Sequence, residues 1–187
     1  MEVEYIDETH QYLIDGVLVP SVSELLRFIN PDKYKGIPSH VLEQKAQWGT
    51  NIHQAIEDHE NGLKTSLSDL EMVTFEQYLK VREKHQIKPV EMETIVHYED
   101  RYAGRLDMVA DINWHRCMVD IKTTAKLDEE ALAWQLGMYK LAYGKPIAKC
   151  YCLWLSKKEP GQLVEITPKT KDQILKVVET YENHRNA

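Results

Sequence analysis

The stretch GRLDMVADINWHRCMVDIKTT, residues 104–124, constrains the fold more strongly than any other part of the chain. It reads as two largely apolar strands joined by a short turn, yet it contains Asp107, Asp120 and Lys122. Burying a charge without a partner is costly, so these three charges need partners. Successive side chains of a strand point to opposite faces, so Asp120 and Lys122 are predicted to share one face.

The two aspartates are predicted to lie side by side. Twelve residues separate Asp107 from Asp120, enough for the rest of one strand, a turn and most of the next. Crowded carboxylates repel each other unless a cation lies between them, and hard oxygen ligands suit Mg²⁺ or Mn²⁺. The Lys122 ammonium could then position a water or offset the charge of a phosphodiester. A surface ion-pair cluster remains the alternative on this pattern alone.

Local sequence signals predict the secondary structure of the first half of the chain. Apolar and polar residues alternate over residues 3–20 around Asp15-Gly16, a dipeptide typical of tight turns, which predicts a β-hairpin. Residues 31–38 hold two prolines and a glycine and are predicted to form a loop. The predicted helices are 21–29 with a Ser21–Glu24 capping box, 39–60 capped by Ser39 and closed by Asn61-Gly62, and 68–85 with a Ser68–Glu71 capping box.

The second half predicts a sheet. Strands are predicted at 90–98, 102–112 and 116–123, a helix at 128–143, strands at 148–156 and 162–166, and a last helix from 167–170 onward. This order favours an α/β protein (an α+β mixed sheet) whose central sheet is flanked by helices. The length of 187 residues suits a single domain over residues 1–187.

Composition narrows the class of protein. The net charge of −7 argues against a protein that coats nucleic acid by charge alone, although a local basic patch and bound cations could still bring DNA to it. The chain lacks an apolar run of membrane-spanning length and begins without the features of a signal peptide. We therefore expect a cytoplasmic protein without a membrane partner.

The three cysteines are expected to be reduced thiols. Three residues cannot pair evenly, and four would be needed for an all-cysteine zinc or iron–sulfur site. Cys117, Cys150 and Cys152 together with a histidine could still form a zinc site, although their spacing is unusual for one. The chain also lacks a Walker-type glycine loop, so no nucleotide cofactor is indicated.

Two helices carry polar residues beside their apolar stripes. Gln135 lies four residues before Tyr139, on the edge of the stripe of helix 128–143, and needs hydrogen-bond partners there. His53 lies next to Ile52 and one turn after Gly49, which would allow close approach to the backbone. A core histidine and an exposed or capping glutamine are the alternative interpretations.

Four motifs occur in a fixed order: GTNIH at 49–53, GRLD at 104–107, DIK at 120–122 and QLGMY at 135–139. In this order they resemble the RecB-like branch of the PD-(D/E)XK nuclease superfamily. The segment HQYLIDGVLVPSVSELL, residues 10–26, further resembles the start of phage-type exonucleases of that branch. Leu106 stands where the family has a proline. The resemblance implies a restriction-endonuclease-like core.

The resemblance implies a role for each matching residue. Asp107 and Asp120 are expected to bind the metal, with the carbonyl of Ile121 as a third ligand. His53 is expected to be a metal ligand or to lie close to one, and Lys122 to orient or activate the attacking water. Gln135 and Tyr139 are expected to position Lys122 and the DNA backbone. Glu93 matches a carboxylate often found in the family, with Glu91 as its competitor.

The implied activity is Mg²⁺-dependent hydrolysis of DNA, with Mn²⁺ able to substitute, by an exonuclease of phage or prophage recombination or DNA processing in a bacterial host cell. Arg105 and Lys126 are candidates for phosphate contacts, or equally for solvated charges. A phage single-strand annealing or single-stranded-DNA-binding protein is a candidate partner, and an oligomer is compatible with the resemblance but not indicated. The rivals are an endonuclease of the same superfamily and a DNA-binding module that has lost catalysis.

Overall fold

The structure is a computed structural model, and it describes residues 1–185. In chain order the strands and helices are β1 Val3–Ile6, β2 Gln11–Ile14, β3 Val17–Val19, α1 Val22–Ile29, α2 Ser39–Glu60, α3 Asp69–His85, β4 Lys88–Tyr98, β5 Tyr102–Ile112, β6 His115–Lys122, α4 Glu129–Tyr143, β7 Lys149–Trp154, β8 Gln162–Ile166 and α5 Lys171–Arg185.

The centre of the fold is a five-stranded sheet in the order β4-β5-β6-β7-β8. β6 and β7 are parallel, since α4 connects them, and the other neighbours are antiparallel. The predicted α/β class with a mixed sheet is therefore confirmed. Apolar residues of α1, α4 and α5 pack on one face, here called the α4 face. Those of α2 and α3 pack on the other, called the α2 face.

The N-terminal segment forms a three-stranded antiparallel sheet, one strand more than the predicted hairpin. The Asp15-Gly16 turn joins β2 to β3, and both residues have positive φ, 48° and 80°, as the type I′ turns of two-residue hairpins require. This sheet docks onto β5, where the backbone N–H of Ala103 donates to the carbonyl of Pro20 at 3.1 Å. Ala103 is buried against Tyr12 in the small core beneath it.

The predicted helix ends are confirmed in most places. Ser68 and Glu71 form a reciprocal capping box at the start of α3. At α1 only half of the predicted box exists: Ser21 accepts from the backbone N–H of Glu24, whose own carboxylate instead accepts from the Tyr181 hydroxyl. The predicted Ser39 cap is wrong, because Ser39 is already the first helical residue of α2 and an N-cap must be non-helical.

Within residues 1–185, none of the helices is both long and apolar enough to cross a bilayer.

Candidate metal centre

The regular pairing of the central sheet is interrupted at Asp107. β5 and β6 pair residue by residue from Ile112 and His115 back to Met108 and Val119. Beyond that pair, a side chain replaces the backbone acceptor: the Oδ2 of Asp107 accepts a hydrogen bond from the backbone N–H of Ile121 at 2.6 Å. The sheet is therefore held together here by a carboxylate rather than by a backbone carbonyl.

The direction of side chains also changes at this position. Leu106 packs on the α4 face, whereas Met108, two residues later, packs on the α2 face, although a regular strand would place both on one face. On the neighbouring strand β4, Glu93 has a φ of 46°, in the left-handed region that residues other than glycine rarely adopt. Asp107 and Glu93 thus lie at a local distortion shared by two strands.

This distortion brings three groups together. A side-chain ligand atom from each of His53, Glu93 and Asp107 lies within 4.8 Å of the other two. His53 Nδ1 is 3.5 Å from Glu93 Oε1 and 3.8 Å from Asp107 Oδ1. The histidine is held in place because its neighbours Ile52 and Ile56 on α2 are buried in the core of the α2 face. All three groups are half-buried.

The orientation of the His53 ring follows from its second nitrogen. Nε2 lies 3.0 Å from the carbonyl oxygen of Ile121, which can only accept, so Nε2 carries a proton and Nδ1 faces the carboxylates. Burial disfavours the charged imidazolium, but the carboxylates of Asp107 and Glu93 outweigh it and raise the pKa of His53 to about 9. Without metal, Nδ1 is protonated and its positive charge faces the carboxylates of Glu93 and Asp107. A divalent cation could replace that proton.

Asp120 and Lys122 form an ion pair beside this cluster. Lys122 Nζ is 2.6 Å from Asp120 Oδ2, as expected for side chains two residues apart on one strand face. Burial raises the pKa of Asp120 to about 6, because its carboxyl group is only 2% exposed. Burial would lower the pKa of Lys122, but the carboxylates of Asp120 and Asp107 raise it, so the amine is an ammonium.

Several buried carboxylate oxygens have unfilled acceptor positions. Glu93 Oε1 and both oxygens of Asp120 are buried and lack a hydrogen-bond partner among residues 1–185, although Asp120 Oδ2 keeps its ionic contact with Lys122. Buried polar atoms are normally paired, so unpaired ones suggest a missing ligand. The donor set of carboxylates plus one imidazole suits a hard or borderline cation such as Mg²⁺ or Mn²⁺. The residues present therefore fit the expected metal.

The helix α4 supplies Gln135 and Tyr139 from above the α4 face. Burial raises the pKa of the Tyr139 phenol well above its usual value, the charges of Asp107 and Asp120 act in the same direction, and the Gln135 side chain opposes them. Tyr139 is therefore within electrostatic reach of Asp107 and Asp120 and next to Gln135. Gly104 allows the Tyr139 ring to pack directly on the backbone of β5, because a Cβ at this position would lie 2.8 Å from the ring.

The remaining predicted residues have different surroundings. The Ile121 carbonyl, an expected metal ligand, accepts the His53 hydrogen bond. Glu91, the competitor of Glu93, accepts instead from the Tyr143 hydroxyl at 2.7 Å, away from the cluster. Arg105 Nε lies 2.9 Å from Glu93 Oε2, so Arg105 is adjacent to the site. Lys126 is exposed in the segment between β6 and α4.

The cysteines do not converge on one point. Cys117 packs in the core of the α2 face, whereas Cys150 and Cys152 pack in that of the α4 face. All three are buried free thiols. The sheet thus separates the residues of the zinc alternative, which this arrangement does not favour.

No pattern in the sequence indicated that the N-terminal sheet approaches the site. Tyr5 of β1 lies beneath Arg105, with the guanidinium carbon 5.3 Å from the ring centroid. The contact joins residues a hundred positions apart, so no local pattern could have revealed it.

Comparisons with known proteins concern only the fold. The sequence matches no protein-family model and no curated protein. Among the solved structures that it matches is one described as the crystal structure of SSO0001, with a TM-score of 0.51 and 17% sequence identity. The match covers 90% of this chain and 77% of that one. At this identity the likeness extends to the fold.

Proposed function

We propose that this chain is a Mg²⁺-dependent deoxyribonuclease with a restriction-endonuclease-like core, acting as an exonuclease in phage recombination or DNA processing. One observation carries the proposal. Asp107 clusters with His53 and Glu93 and is within electrostatic reach of the Asp120–Lys122 pair, and buried oxygens of Glu93 and Asp120 still have free acceptor positions. His53, Asp107, Asp120 and Lys122 belong to three of the four motifs that resemble RecB-like nucleases.

In this proposal the metal is held by Asp107, Asp120, Glu93 and the Nδ1 of His53. When bound, Mg²⁺ supplies a Lewis acid that acidifies water and offsets the negative charge of a phosphodiester. The hydrogen bond from His53 Nε2 to the Ile121 carbonyl fixes the ring so that Nδ1 points to the carboxylates. The Ile121 N–H similarly fixes one oxygen of Asp107.

Lys122 provides a positive charge on the same side of the sheet as Asp120 and Tyr139. Its ammonium form favours a role in orienting water and stabilising phosphate charge over a role in removing a proton. On α4, Tyr139 is within electrostatic reach of Asp107 and Asp120, and in this proposal Gln135 and Tyr139 accept a hydrogen bond from Lys122 or donate one to the DNA backbone. Substrate orientation is worth a large share of a typical barrier.

The overall charge of −7 is compatible with this role, because a metal and a few cationic side chains can neutralise a phosphate backbone locally. Arg105 and Lys126 remain candidates for phosphate contacts. A phage annealing or single-stranded-DNA-binding protein remains the candidate partner.

The test compares end-labelled linear duplex DNA with a covalently closed circle, in Mg²⁺, Mn²⁺, Ca²⁺ or EDTA. We expect degradation of linear DNA in Mg²⁺ or Mn²⁺, little turnover in Ca²⁺, whose coordination is longer and looser, and none in EDTA. Cutting of the closed circle would instead favour an endonuclease. Binding without cleavage in any metal would favour a DNA-binding module, and full activity in EDTA would overturn the metal assignment.

A further inference from the structure

The two oxygens of Glu93 have different partners. Oε2 lies 2.9 Å from Arg105 Nε, whereas Oε1 faces His53 Nδ1 at 3.5 Å and is buried without a hydrogen bond among the described residues. The carboxylate is therefore held by one oxygen and presents the other to the cluster. The backbone of Glu93 is in the left-handed region, which is costly for a residue other than glycine, so contacts with the surrounding structure must hold this conformation.

Arg105 is itself supported by the N-terminal sheet. Its guanidinium carbon is 5.3 Å from the centre of the Tyr5 ring, within the range of a cation–π contact. Tyr5 in turn lies opposite Tyr12 in the β1–β2 pairing, with ring centroids 4.9 Å apart. Tyr12 is buried in the small core that fixes this sheet on β5. Tyr5, Arg105 and Glu93 thus form a continuous line of contacts that ends at the candidate metal centre.

We propose that Arg105 is a positioning residue that aims Glu93 at the metal, and that Tyr5 of the N-terminal sheet supports Arg105 in doing so. The inference rests on the proposed function in that it assumes a divalent metal at His53, Glu93 and Asp107. It gives the N-terminal sheet a role in metal binding. It also gives Arg105 a partner other than phosphate.

Charge and geometry make opposite predictions for Arg105, so they can be separated. A positive charge near a metal site weakens cation binding, so removing it would tighten binding if charge alone mattered. Loss of a residue that orients a metal ligand instead weakens binding by about 10–100-fold. Arg105 is 40% exposed, so solvent screens its charge, and we expect geometry to dominate.

The experiment measures Mn²⁺ affinity in the absence of DNA, by the loss of the electron paramagnetic resonance signal of free Mn²⁺. Arg105→Gln should weaken binding about tenfold. Arg105→Lys should also weaken it, because lysine keeps the charge but lacks the planar fork. Arg116→Gln is the matched control: Arg116 is 42% exposed and pairs with Asp111 across the neighbouring strands β6 and β5, away from the cluster, so the Mn²⁺ affinity of this variant should equal that of the wild type.

Tyr5 provides an independent test of the support. Tyr5→Ala should weaken Mn²⁺ binding about two- to threefold, since it removes the ring beneath the guanidinium while leaving the Glu93 contact in place. Tyr5→Phe, which retains the ring, should restore wild-type affinity. Thermal unfolding without metal shows whether each variant is folded, and Arg105→Lys keeps the test decisive if Arg105→Gln is not.

Wild-type affinity in both Arg105 variants, or tighter binding in Arg105→Gln, would overturn the positioning role. A wild-type protein that binds Mn²⁺ but cleaves no DNA would contradict the proposed function and leave the Arg105 comparison valid. Absence of Mn²⁺ binding by the wild type would overturn both.

Discussion

The two ends of the β5–β6 hairpin are built from the same two strands but serve different purposes. At the turn end, pairing is regular from Met108–Val119 to Ile112–His115. At the open end, the carboxylate of Asp107 replaces a backbone acceptor. The turn end is regular sheet, whereas the open end, where the backbone pairing is interrupted, carries the candidate site.

Each end also carries an ion pair whose two members both belong to the hairpin. At the turn end, Arg116 and Asp111 are both 42% exposed, and such a pair contributes little to stability. At the open end, Asp120 is 2% exposed and Lys122 is 29% exposed. A buried pair is a weak source of stability because desolvation opposes it, so its presence favours a functional explanation.

The largest effect is expected for Asp107→Asn. The change removes a charge that faces the metal but keeps the side-chain shape, so DNA cleavage in Mg²⁺ should fall by more than ~10²-fold. This loss exceeds the effect of mutating a residue that only orients a metal ligand. The metal-free protein should keep most of its stability, because the relieved repulsion from Asp120 offsets the lost attraction to His53 and Lys122. Cleavage assays and thermal unfolding measure the two effects.

Asp111→Asn at the turn end is the matched control for Asp107→Asn and should retain wild-type activity. A large loss of metal-free stability in Asp107→Asn would identify Asp107 as a structural ion-pair partner and contradict the metal assignment.

Lys122→Met should reduce cleavage by ~10²-fold or more, in the range of groups that act electrostatically or in proton transfer. Metal binding should survive or tighten, because a competing positive charge is gone. DNA binding, measured in Ca²⁺ to prevent turnover, should weaken only modestly. Arg116→Met tests the same loss of a cation at the turn end and should leave cleavage unchanged.

A near wild-type rate in Lys122→Met would make Lys122 a bystander. Loss of metal binding would instead show that it holds the carboxylates in place.

Gln135→Ala should lower cleavage about tenfold, as expected for a residue that orients other groups. Its matched control is Gln54→Ala, since Gln54 is exposed on α2 and hydrogen-bonds only with Glu57 and Asp58 of its own helix among residues 1–185. An unchanged rate for a folded Gln135→Ala protein would leave Gln135 as an ordinary polar residue of the packing surface.

The smallest effect is expected at the turn. Trp114 is 97% exposed and has a φ of 67°, a conformation that is costly for a bulky residue. Trp114→Gly would form an Asn-Gly turn and should raise the free energy of unfolding by ~0.5–1 kcal/mol, since the relieved strain exceeds the lost contact with Lys88. Chemical denaturation measures this, and cleavage should not change. A destabilised variant would show that the Trp114 side chain contributes packing.

The elements that the sequence predicted well are those with local causes. The Ser68–Glu71 box, the Asp15-Gly16 turn and the predicted end of α4 at residue 143 each depend on residues within a few positions of one another. The predicted N-cap at Ser39 was wrong for a reason that is also local, because Pro38 occupies the N-cap position. The sequence did not predict β1 as a separate strand of the N-terminal sheet, because β1 is defined by its pairing with β2.

The candidate site divides in the same way. Strand alternation was sufficient to pair Asp120 with Lys122, because two positions on one strand share a face. Alternation could not separate Glu93 from Glu91, which a regular strand would place on one face. The left-handed backbone of Glu93 interrupts that alternation, and Glu93 faces His53 whereas Glu91 contacts Tyr143.

By itself, the sequence determined the order of elements, the α/β class and the pairing of Asp120 with Lys122, because backbone preferences and side-chain periodicity act over short distances. Only the tertiary structure brought His53 to Asp107 and the Tyr5–Arg105 contact to Glu93. Those contacts join separate elements, and packing on two faces of one sheet fixes their distances.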